Sequence, residues 1–473
     1  MRPNVLCVVL DAARRDALEP YGAPSASTPA IMDLARRGAA LPHVYAAGCW
    51  TLPSHAAMFT GLLPRAAGLA DVREGGPHAV RPILESHRDR VLPEVLRRAG
   101  YSTRAVSANT WVGRETGFDT GFEDFVSINS GRQANLHRRD RRSHARWLLE
   151  AARARVDDGA REAGEVMRSW LREPAGPFFW FVNLVECHSP YLPPRPYNDL
   201  PLRERIRAAN DNRAYMKLDG IWDAAVGKLR VPEGALERMR HLYARSVSYL
   251  DDWLASLLEA MDGAGVLDDT LVIVLSDHGE NLGEDGRLAH MMSLDERLIS
   301  VPFVTAGPGA PPADSVLSLA ALPRLVAEAT GVDGPWREDD LPAGVAVSQC
   351  DPAVAGPEHE LRATAEKWGW GEGLSVLTTP LTSATDGRRK LLRVGAAERL
   401  YDLEADPGET APQPPGADLE RARPDDFARL RAALEHPAAT ATFDVDAVAA
   451  TAPAPDADEV RDLEERMKLL GYM

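Results

Sequence analysis

The stretch Leu271–Glu280, LVIVLSDHGE, decides the fold of this chain. Its apolar run Leu271–Leu275 has the length of a β-strand and is wholly apolar, which is typical of a strand covered on both faces in a parallel α/β sheet. Asp277 and His278 follow where that strand ends. Ligands of open α/β sheets bind just beyond the carboxyl ends of the strands. The stretch therefore predicts a carboxylate and an imidazole at the functional edge of a parallel sheet.

The beginning of the chain repeats this construction. Asn4–Asp11, NVLCVVLD, is a second buried-strand pattern that ends in a carboxylate. A single aspartate in this position could instead cap the following helix, because Asp is a favoured helix N-cap. Two such strands can lie side by side in one sheet, and carboxylates together with an imidazole can bind a hard or borderline divalent cation. Asp11, Asp277 and His278 are therefore candidates to share one ion.

A third segment, Cys49–Gly61, reads CWTLPSHAAMFTG. Pro53 favours a turn, and His55–Gly61 is predicted to be a short helix closed by its glycine. A hydroxyl at a helix N-terminus faces unpaired N–H groups and the positive end of the helix dipole, which favour an anionic nucleophile and an anionic ligand. Thr51 is therefore a candidate nucleophile. The alternative is that Thr51 is an ordinary helix cap.

In this order the segments resemble the sulfatase family of the alkaline phosphatase superfamily. Other stretches are similar to signatures of the family, namely Ala105–Phe125, Phe178–Pro194, Leu288–Phe303, Leu400–Thr410 and the C-terminal LEERMKLLGYM. The resemblance spans nearly the whole chain. It implies an α/β fold of the alkaline phosphatase type, with a mixed, mostly parallel sheet sandwiched by helices and a smaller C-terminal α+β subdomain.

The resemblance also exposes a departure at the nucleophile position. Sulfatases carry a formylglycine there, made from Cys or Ser, whereas this chain has Thr51 and lacks the C-x-P-x-R maturation motif, with His55 in place of the arginine. Threonine does not fit that oxidation, which starts from a primary carbon, so no formylglycine is expected. Ala12 stands where many sulfatases have another metal-binding aspartate. The implied ligand set resembles that of phosphoglycerol transferases and lipoteichoic acid synthase-like enzymes, and comprises Asp11, Thr51, Asp277 and His278.

These features predict a metal-dependent sulfatase-family hydrolase acting on an anionic ester. A phosphate or phosphonate ester is favoured, cleaved by hydrolysis or transferred to an acceptor through Thr51 and a covalent intermediate. One divalent ion is expected, Mn, Mg or Ca rather than Zn. The first alternative is a sulfate-ester hydrolase without formylglycine. The second is a non-catalytic binding protein that keeps the sulfatase fold.

Two histidines and one arginine complete the expected site. His188 and His290 match family positions that contact the anion or protonate the leaving group, a task suited to the pKa of histidine. Without the resemblance, a lone histidine is more often structural. Arg14, in the D-x-x-R-x-D pattern that follows the first strand, is expected to brace the substrate site, or else to pair only with Asp16 or another carboxylate.

Composition limits the possible partners. The 473 residues are 45% hydrophobic and carry a formal charge of −16, which argues against nucleic acids as partners because the phosphate backbone would be repelled. No apolar run approaches the roughly 20 residues of a transmembrane segment, and no secretory leader pattern precedes the first strand. We expect a cytoplasmic enzyme that acts on an anionic small molecule or on a lipid- or glycan-linked ester.

The four cysteines form no C-x-x-C motif and are predicted to be reduced.

Breaks in the pattern suggest three regions. Residues 1–335 are predicted to form the sulfatase-like catalytic α/β domain, with a helical insert at 126–240. Residues 336–412 are predicted to form the small C-terminal subdomain, in which Leu374–Leu403 gives short antiparallel strands with a hairpin turn at Asp386 and Gly387. Residues 413–473 are predicted to be a linker-like Pro/Ala-rich tail that ends in a helix.

Overall fold

The structure is a computed structural model. It describes residues 2–23, 28–70, 79–128, 141–172, 176–290, 292–312, 315–352, 369 and 373–451.

The strands are distributed along the whole described chain. They are β1 (Asn4–Leu10), β2 (Ala39–Ala40), β3 (His43–Tyr45), β4 (Ser102–Ser107), β5 (Asp124–Ser127), β6 (Phe178–Leu184), β7 (Thr270–Leu275), β8 (Asn281–Leu282), β9 (Leu288–Ala289), β10 (Phe303–Ala306), β11 (Val316–Ser318), β12 (Ala346–Cys350), β13 (Leu381–Thr385), β14 (Arg389–Val394) and β15 (Ala397–Asp402).

The helices alternate with the strands in the first two thirds of the chain. They are α1 (Pro29–Arg37), α2 (Thr51–Thr60), α3 (Pro64–Ala67), α4 (Val80–Ser86), α5 (Leu92–Arg98), α6 (Arg141–Arg153), α7 (Ala160–Trp170), α8 (Leu202–Tyr215), α9 (Leu218–Ala225), α10 (Glu233–Gly263), α11 (Glu296–Ile299), α12 (Leu322–Thr330), α13 (Leu374–Thr378), α14 (Asp418–Ala422), α15 (Pro424–Leu434), α16 (Pro437–Thr440) and α17 (Val445–Thr451). In the described part of the chain, no helix combines the length and apolar composition needed to cross a membrane.

A seven-stranded sheet in the order β2-β10-β7-β1-β6-β4-β5 forms the centre of the molecule. β1 lies between β6 and β7 and is parallel to both. β4 and β5 continue the parallel arrangement on one side, whereas β10 runs antiparallel to β7 and β2 on the other. The prediction of a mixed, mostly parallel sheet is confirmed.

Each central strand contributes to two hydrophobic cores, one on each face of the sheet. Val5, Cys7 and Val9 of β1 pack into a core that includes residues of α2, α4, α5 and α12. The intervening residues of β1 pack into a second core with residues of α1, α7 and α10. This alternation is why the strands are apolar without interruption. The sheet is sandwiched by helices, as predicted.

A separate four-stranded antiparallel sheet, in the order β12-β13-β14-β15, follows the central sheet along the chain. Its β13–β14 hairpin turns at Asp386 and Gly387, and the glycine has a φ of +86°. Leu374–Thr378, where a strand was expected, is the short helix α13. The C-terminal antiparallel strands themselves are confirmed.

The region after residue 413 contains more order than its composition suggested. Helix α15 packs against β13 and β14, and its side chains Phe427 and Leu430 are fully buried. The apolar positions 427, 430 and 434 follow helical spacing, but the surrounding Ala, Pro and charged residues obscure that pattern. The predicted C-terminal helix lies outside the described residues.

The antiparallel sheet is tied to the central domain by a buried lysine. The ammonium group of Lys390, on β14, is fully buried and donates to the Leu294 carbonyl oxygen. It also lies 3.2 Å from Glu296 and 2.7 Å from Glu409. A buried charge requires such partners, because an unpaired ion in the interior is strongly destabilising. This contact anchors the sheet against the segment that follows His290.

We expect Leu430→Ala to lower the free energy of unfolding by about 2–5 kcal/mol, since it leaves a cavity in a fully buried position. The matched control is Leu202→Ala on α8, where the side chain is 53% exposed and the cost should stay within about 0.5 kcal/mol. Thermal and urea unfolding followed by circular dichroism measure both. Equal losses in the two variants would contradict the packing of α15.

Candidate active site

The register of the central strands brings the predicted ligands together. Val9 of β1 pairs with Leu275 of β7, so Asp11 and Asp277 each lie two residues beyond a matched pair at the same edge. One ligand atom from each of Asp11, Asp277 and His278 lies within 4.8 Å of the others, and all three side chains are buried. The expected convergence of these side chains is therefore present in the fold.

The glycine behind these residues permits a close backbone contact. The Gly279 N–H donates to the Leu298 carbonyl oxygen of α11 at 2.8 Å. A Cβ atom at this position would lie 1.8 Å from the Arg297 carbonyl oxygen, so a side chain there requires a backbone shift. Glycine in the S-D-H-G-E sequence is thus required by the packing of α11 behind the ligands.

The His278 ring presents a lone pair to both carboxylates. Its Nδ1 lies 2.8 Å from the Gly279 carbonyl oxygen, which can only accept, so Nδ1 carries the hydrogen. Burial lowers the pKa of His278 well below its usual value, and the ring is neutral. Its Nε2 lies 3.3 Å from Asp277 Oδ2 and 3.7 Å from Asp11 Oδ1. Three electron-rich atoms therefore face one another.

The arrangement of these three atoms suits a cation. Asp11 Oδ1 and Asp277 Oδ2 are buried and have no hydrogen-bond partner among the described residues. Burial raises the pKa of both carboxyl groups, and the charge of Asp11 raises that of Asp277 further. Uncompensated carboxylates are costly in the interior, whereas a divalent ion would satisfy all three atoms. Two carboxylate oxygens and an imidazole nitrogen suit a hard or borderline divalent metal.

Thr51 opens helix α2 and reaches this cluster. The helix begins at Thr51 rather than at His55 as expected, because Pro53 is compatible with a first helical turn. Trp50 is the N-cap residue and the helix has no side-chain cap bond, so Thr51 does not act as an ordinary cap. Its hydroxyl oxygen lies 3.3 Å from His278 Nε2, and the residue is only 2% exposed.

Two asparagines belong to the site in addition to the residues predicted from the sequence. Asn109, two positions after β4, donates from Nδ2 to Asp11 Oδ2 at 2.7 Å and to Thr51 Oγ1 at 3.3 Å. Asn183 of β6 donates to Asp11 Oδ2 at 3.3 Å. The position of Asn109 just beyond a parallel strand, like that of Asp11, could have identified it. Asn183 lies within a strand, and its sequence position carries no comparable indication.

His55 is a further buried neighbour of the cluster. Its Nδ1 lies 2.9 Å from the Thr51 carbonyl oxygen and 3.4 Å from Asp277 Oδ2. Burial lowers the pKa of His55 to about 3, so its ring is neutral. Its Nδ1 hydrogen is donated to the Thr51 carbonyl oxygen, so the residue brings no positive charge to Asp277, in contrast to an arginine.

The predicted histidines lie next to one another and to His278. The ring of His290 is 4.1 Å from that of His278 and 4.7 Å from that of His188, between centroids. His290 Nδ1 is 2.9 Å from a carboxylate oxygen of Glu280, whose pKa is raised to about 7 by burial. His188 Nδ1 lies 2.7 Å from the Ser189 carbonyl oxygen. In each of these two rings, Nδ1 has a protein partner and Nε2 is the nitrogen that can contact a ligand.

Arg14 forms ion pairs with two carboxylates. Its guanidinium contacts Asp16 and Glu284, and it donates to the Glu280 carbonyl oxygen at 3.2 Å. These ion pairs favour the alternative that Arg14 pairs with Asp16 and another carboxylate. Through Glu280 it supports the segment that leads to His290.

Comparisons with known proteins agree with this geometry. The sequence profile of the family described as Sulfatase matches residues 3–332. The choline-sulfatase of Rhizobium meliloti (strain 1021) is 25% identical over 455 residues, covering 86% of this chain and 81% of the relative. An arylsulfatase of Clostridium perfringens is 23% identical over 346 residues, covering 65% of this chain and 69% of the relative.

Solved structures share the fold. The phosphonate monoester hydrolase of Agrobacterium radiobacter aligns with a TM-score of 0.62 and 20% identity over 91% of this chain and 96% of its own. A putative sulfatase from Bacteroides thetaiotaomicron aligns with a TM-score of 0.64 and 17% identity over 98% of this chain and 96% of its own. Because the family profile covers more than half of the sequence and the fold agrees, this chain belongs to the sulfatase family of hydrolases.

Proposed function

We propose that this sulfatase-family hydrolase cleaves or transfers a phosphate or phosphonate ester, with Thr51 as its nucleophile and one divalent metal ion as its cofactor. The observation that carries the proposal is an unmodified threonine hydroxyl 3.3 Å from His278 Nε2, beside the unpaired oxygens of Asp11 and Asp277. A sulfatase of the usual kind requires an aldehyde at this position, which threonine does not supply. A hydroxyl can attack phosphorus directly.

Asp11, Asp277 and His278 would hold the ion, with Thr51 beside it. A bound divalent ion lowers the pKa of a neighbouring hydroxyl and neutralises charge on the oxygens of an anionic ester. Because burial keeps the rings of His278 and His290 neutral, the attraction for the anion would come mainly from this ion. Mn, Mg or Ca suits the two carboxylate oxygens.

Thr51 Oγ1 would attack phosphorus in line with the leaving oxygen. The new Oγ1–P bond replaces the bond to the leaving group and gives a phosphothreonine, while the hydroxyl proton passes to solvent water. Asn109 Nδ2 donates to Oγ1 and so directs its remaining lone pair and its hydrogen. Water or an acceptor alcohol would then release the phosphoryl group from Thr51.

The leaving oxygen needs a proton, and His290 is placed to provide it. In the neutral ring the hydrogen sits on Nδ1 and is donated to the Glu280 carboxylate, so Nε2 would first take up a proton from solvent and then pass it to the leaving oxygen, while Glu280 stabilises the charged ring. His188, 4.7 Å away between ring centroids, would contact the departing group or the anion. These roles follow from the ring positions and the family resemblance together.

A sulfate ester is the second candidate substrate, favoured by the match to the sulfatase profile and to a choline-sulfatase over 86% of the chain.

Purified enzyme with Mn²⁺ should hydrolyse a p-nitrophenyl phosphodiester or p-nitrophenyl phenylphosphonate with a kcat/KM at least about 10-fold above its kcat/KM for p-nitrophenyl sulfate, because threonine cannot form the family aldehyde. Release of p-nitrophenol measures both. A preference for the sulfate would replace the phosphoester proposal with the sulfatase.

Thr51→Ala should lower kcat/KM by at least about 10³-fold, since it removes the attacking oxygen. The matched control is Thr51→Ser, which keeps a hydroxyl and should retain measurable turnover. Circular dichroism and the Tm establish that both variants fold. Full activity of the alanine variant would exclude Thr51 as the nucleophile.

Asp277→Asn should weaken binding of Mn²⁺ by more than roughly 100-fold, because it removes a direct charged ligand. Asp251→Asn is the control: Asp251 is equally buried but accepts hydrogen bonds from the N-terminus of α1. Isothermal titration calorimetry and the shift of Tm with Mn²⁺ report binding without a substrate. An Asp277 variant that binds Mn²⁺ as tightly as the wild type would contradict this metal site.

A further inference from the structure

Two buried thiols meet at the junction between the central domain and the antiparallel sheet. Cys49 lies two residues before Thr51, and Cys350 is the last residue of β12. Their sulfur atoms are 3.0 Å apart, and both cysteines are free thiols. A disulfide bond is about 2.05 Å long, so the sulfurs need to approach by roughly 1 Å to be bonded. Cys49 is fully buried, while Cys350 is 7% exposed.

The backbone on either side already holds the two cysteines together. The Gln349 N–H donates to the Ala47 carbonyl oxygen at 2.8 Å, and the Ser348 hydroxyl donates to the Ala46 carbonyl oxygen at 2.7 Å. These bonds join residues two and three positions before Cys49 to residues one and two positions before Cys350. A covalent bond between the sulfurs therefore requires adjustment of the side chains more than of the chain path, which is the condition that disulfide formation demands.

The other two cysteines provide an internal comparison. Cys7 lies within β1, and Cys187 follows β6, so both are placed by the central sheet. Both are buried free thiols, and burial raises the pKa of each. Burial alone is thus shared by all four cysteines, whereas the sulfur–sulfur contact belongs to the pair Cys49 and Cys350.

We propose that Cys49 and Cys350 form a reversible disulfide that links the segment leading to Thr51 with the C-terminal antiparallel sheet. Hydrogen peroxide is the oxidant. It oxidises one thiol to a sulfenic acid with release of water, and the second sulfur then attacks that sulfenic acid and displaces a second water. Two thiols and one peroxide become one disulfide and two waters. A dithiol reductant returns both thiols.

The bond has a definite physical consequence. It closes a loop that runs from residue 49 to residue 350 and so restricts the unfolded chain over most of its length. Because the two segments are already hydrogen-bonded in the folded state, little native strain opposes this stabilisation. Oxidation therefore stabilises the attachment of the antiparallel sheet to the central domain. This inference does not depend on which ester the site cleaves.

The test is treatment of the purified full chain with one equivalent of hydrogen peroxide, followed by intact mass and peptide mapping without reduction. The expected result is a mass lower by two hydrogen atoms, a peptide pair joined through Cys49 and Cys350, and a Tm higher by about 5 °C. Dithiothreitol should reverse all three changes.

Variants separate this pair from general oxidation. Cys350→Ala should abolish the linked peptides and the rise in Tm, and Cys49→Ala should do the same if the first variant folds poorly. Cys187→Ala, another buried cysteine, should keep both. Added oxygen atoms without linked peptides, linkage through Cys7 or Cys187, or linkage that leaves the Tm unchanged would each overturn the proposal.

Discussion

Parallel pairing of β1 with β7 is the constraint on which the site depends. The pairing places Val9 beside Leu275, and so the side chains that follow each strand meet at one edge of the sheet. Both strands are covered by helices on both faces, which holds this register against slippage. The buried carboxylates are therefore positioned by the hydrophobic core, which supplies the free energy that offsets their burial.

The burial of the two carboxylates determines what they can bind. One oxygen each of Asp11 and Asp277 has no hydrogen-bond donor within the described part of the chain, while Asn109 and Asn183 donate to the other oxygen of Asp11. The amides orient the carboxylate without neutralising it, so its affinity for a cation is retained. The same Asn109 amide contacts the Thr51 hydroxyl, which couples the position of the proposed nucleophile to that of the proposed metal ligands.

The antiparallel sheet also contacts the segments that carry the site residues. Lys390 anchors it to the segment after His290, and β12 runs beside the segment that precedes Thr51. The proposed nucleophile and the proposed proton donor are thus both supported by a region outside the one that holds the proposed metal ligands Asp11, Asp277 and His278. Stability of the C-terminal region and geometry of the active site are consequently linked.

The sequence by itself determined the buried parallel strands, the acids at their ends, Thr51 near the start of a helix and the antiparallel hairpin, because these depend on local periodicity and turn chemistry. It did not identify Asn183 or the pairing of Arg14 with Glu284, and the composition around α15 obscured the packing of that helix. Only the tertiary structure decided which atoms meet: the Thr51 hydroxyl with His278, Asn109 with Asp11, and Cys49 with Cys350. Such contacts join residues far apart in the chain, and their distances follow from strand register and domain packing, which residue order alone does not contain.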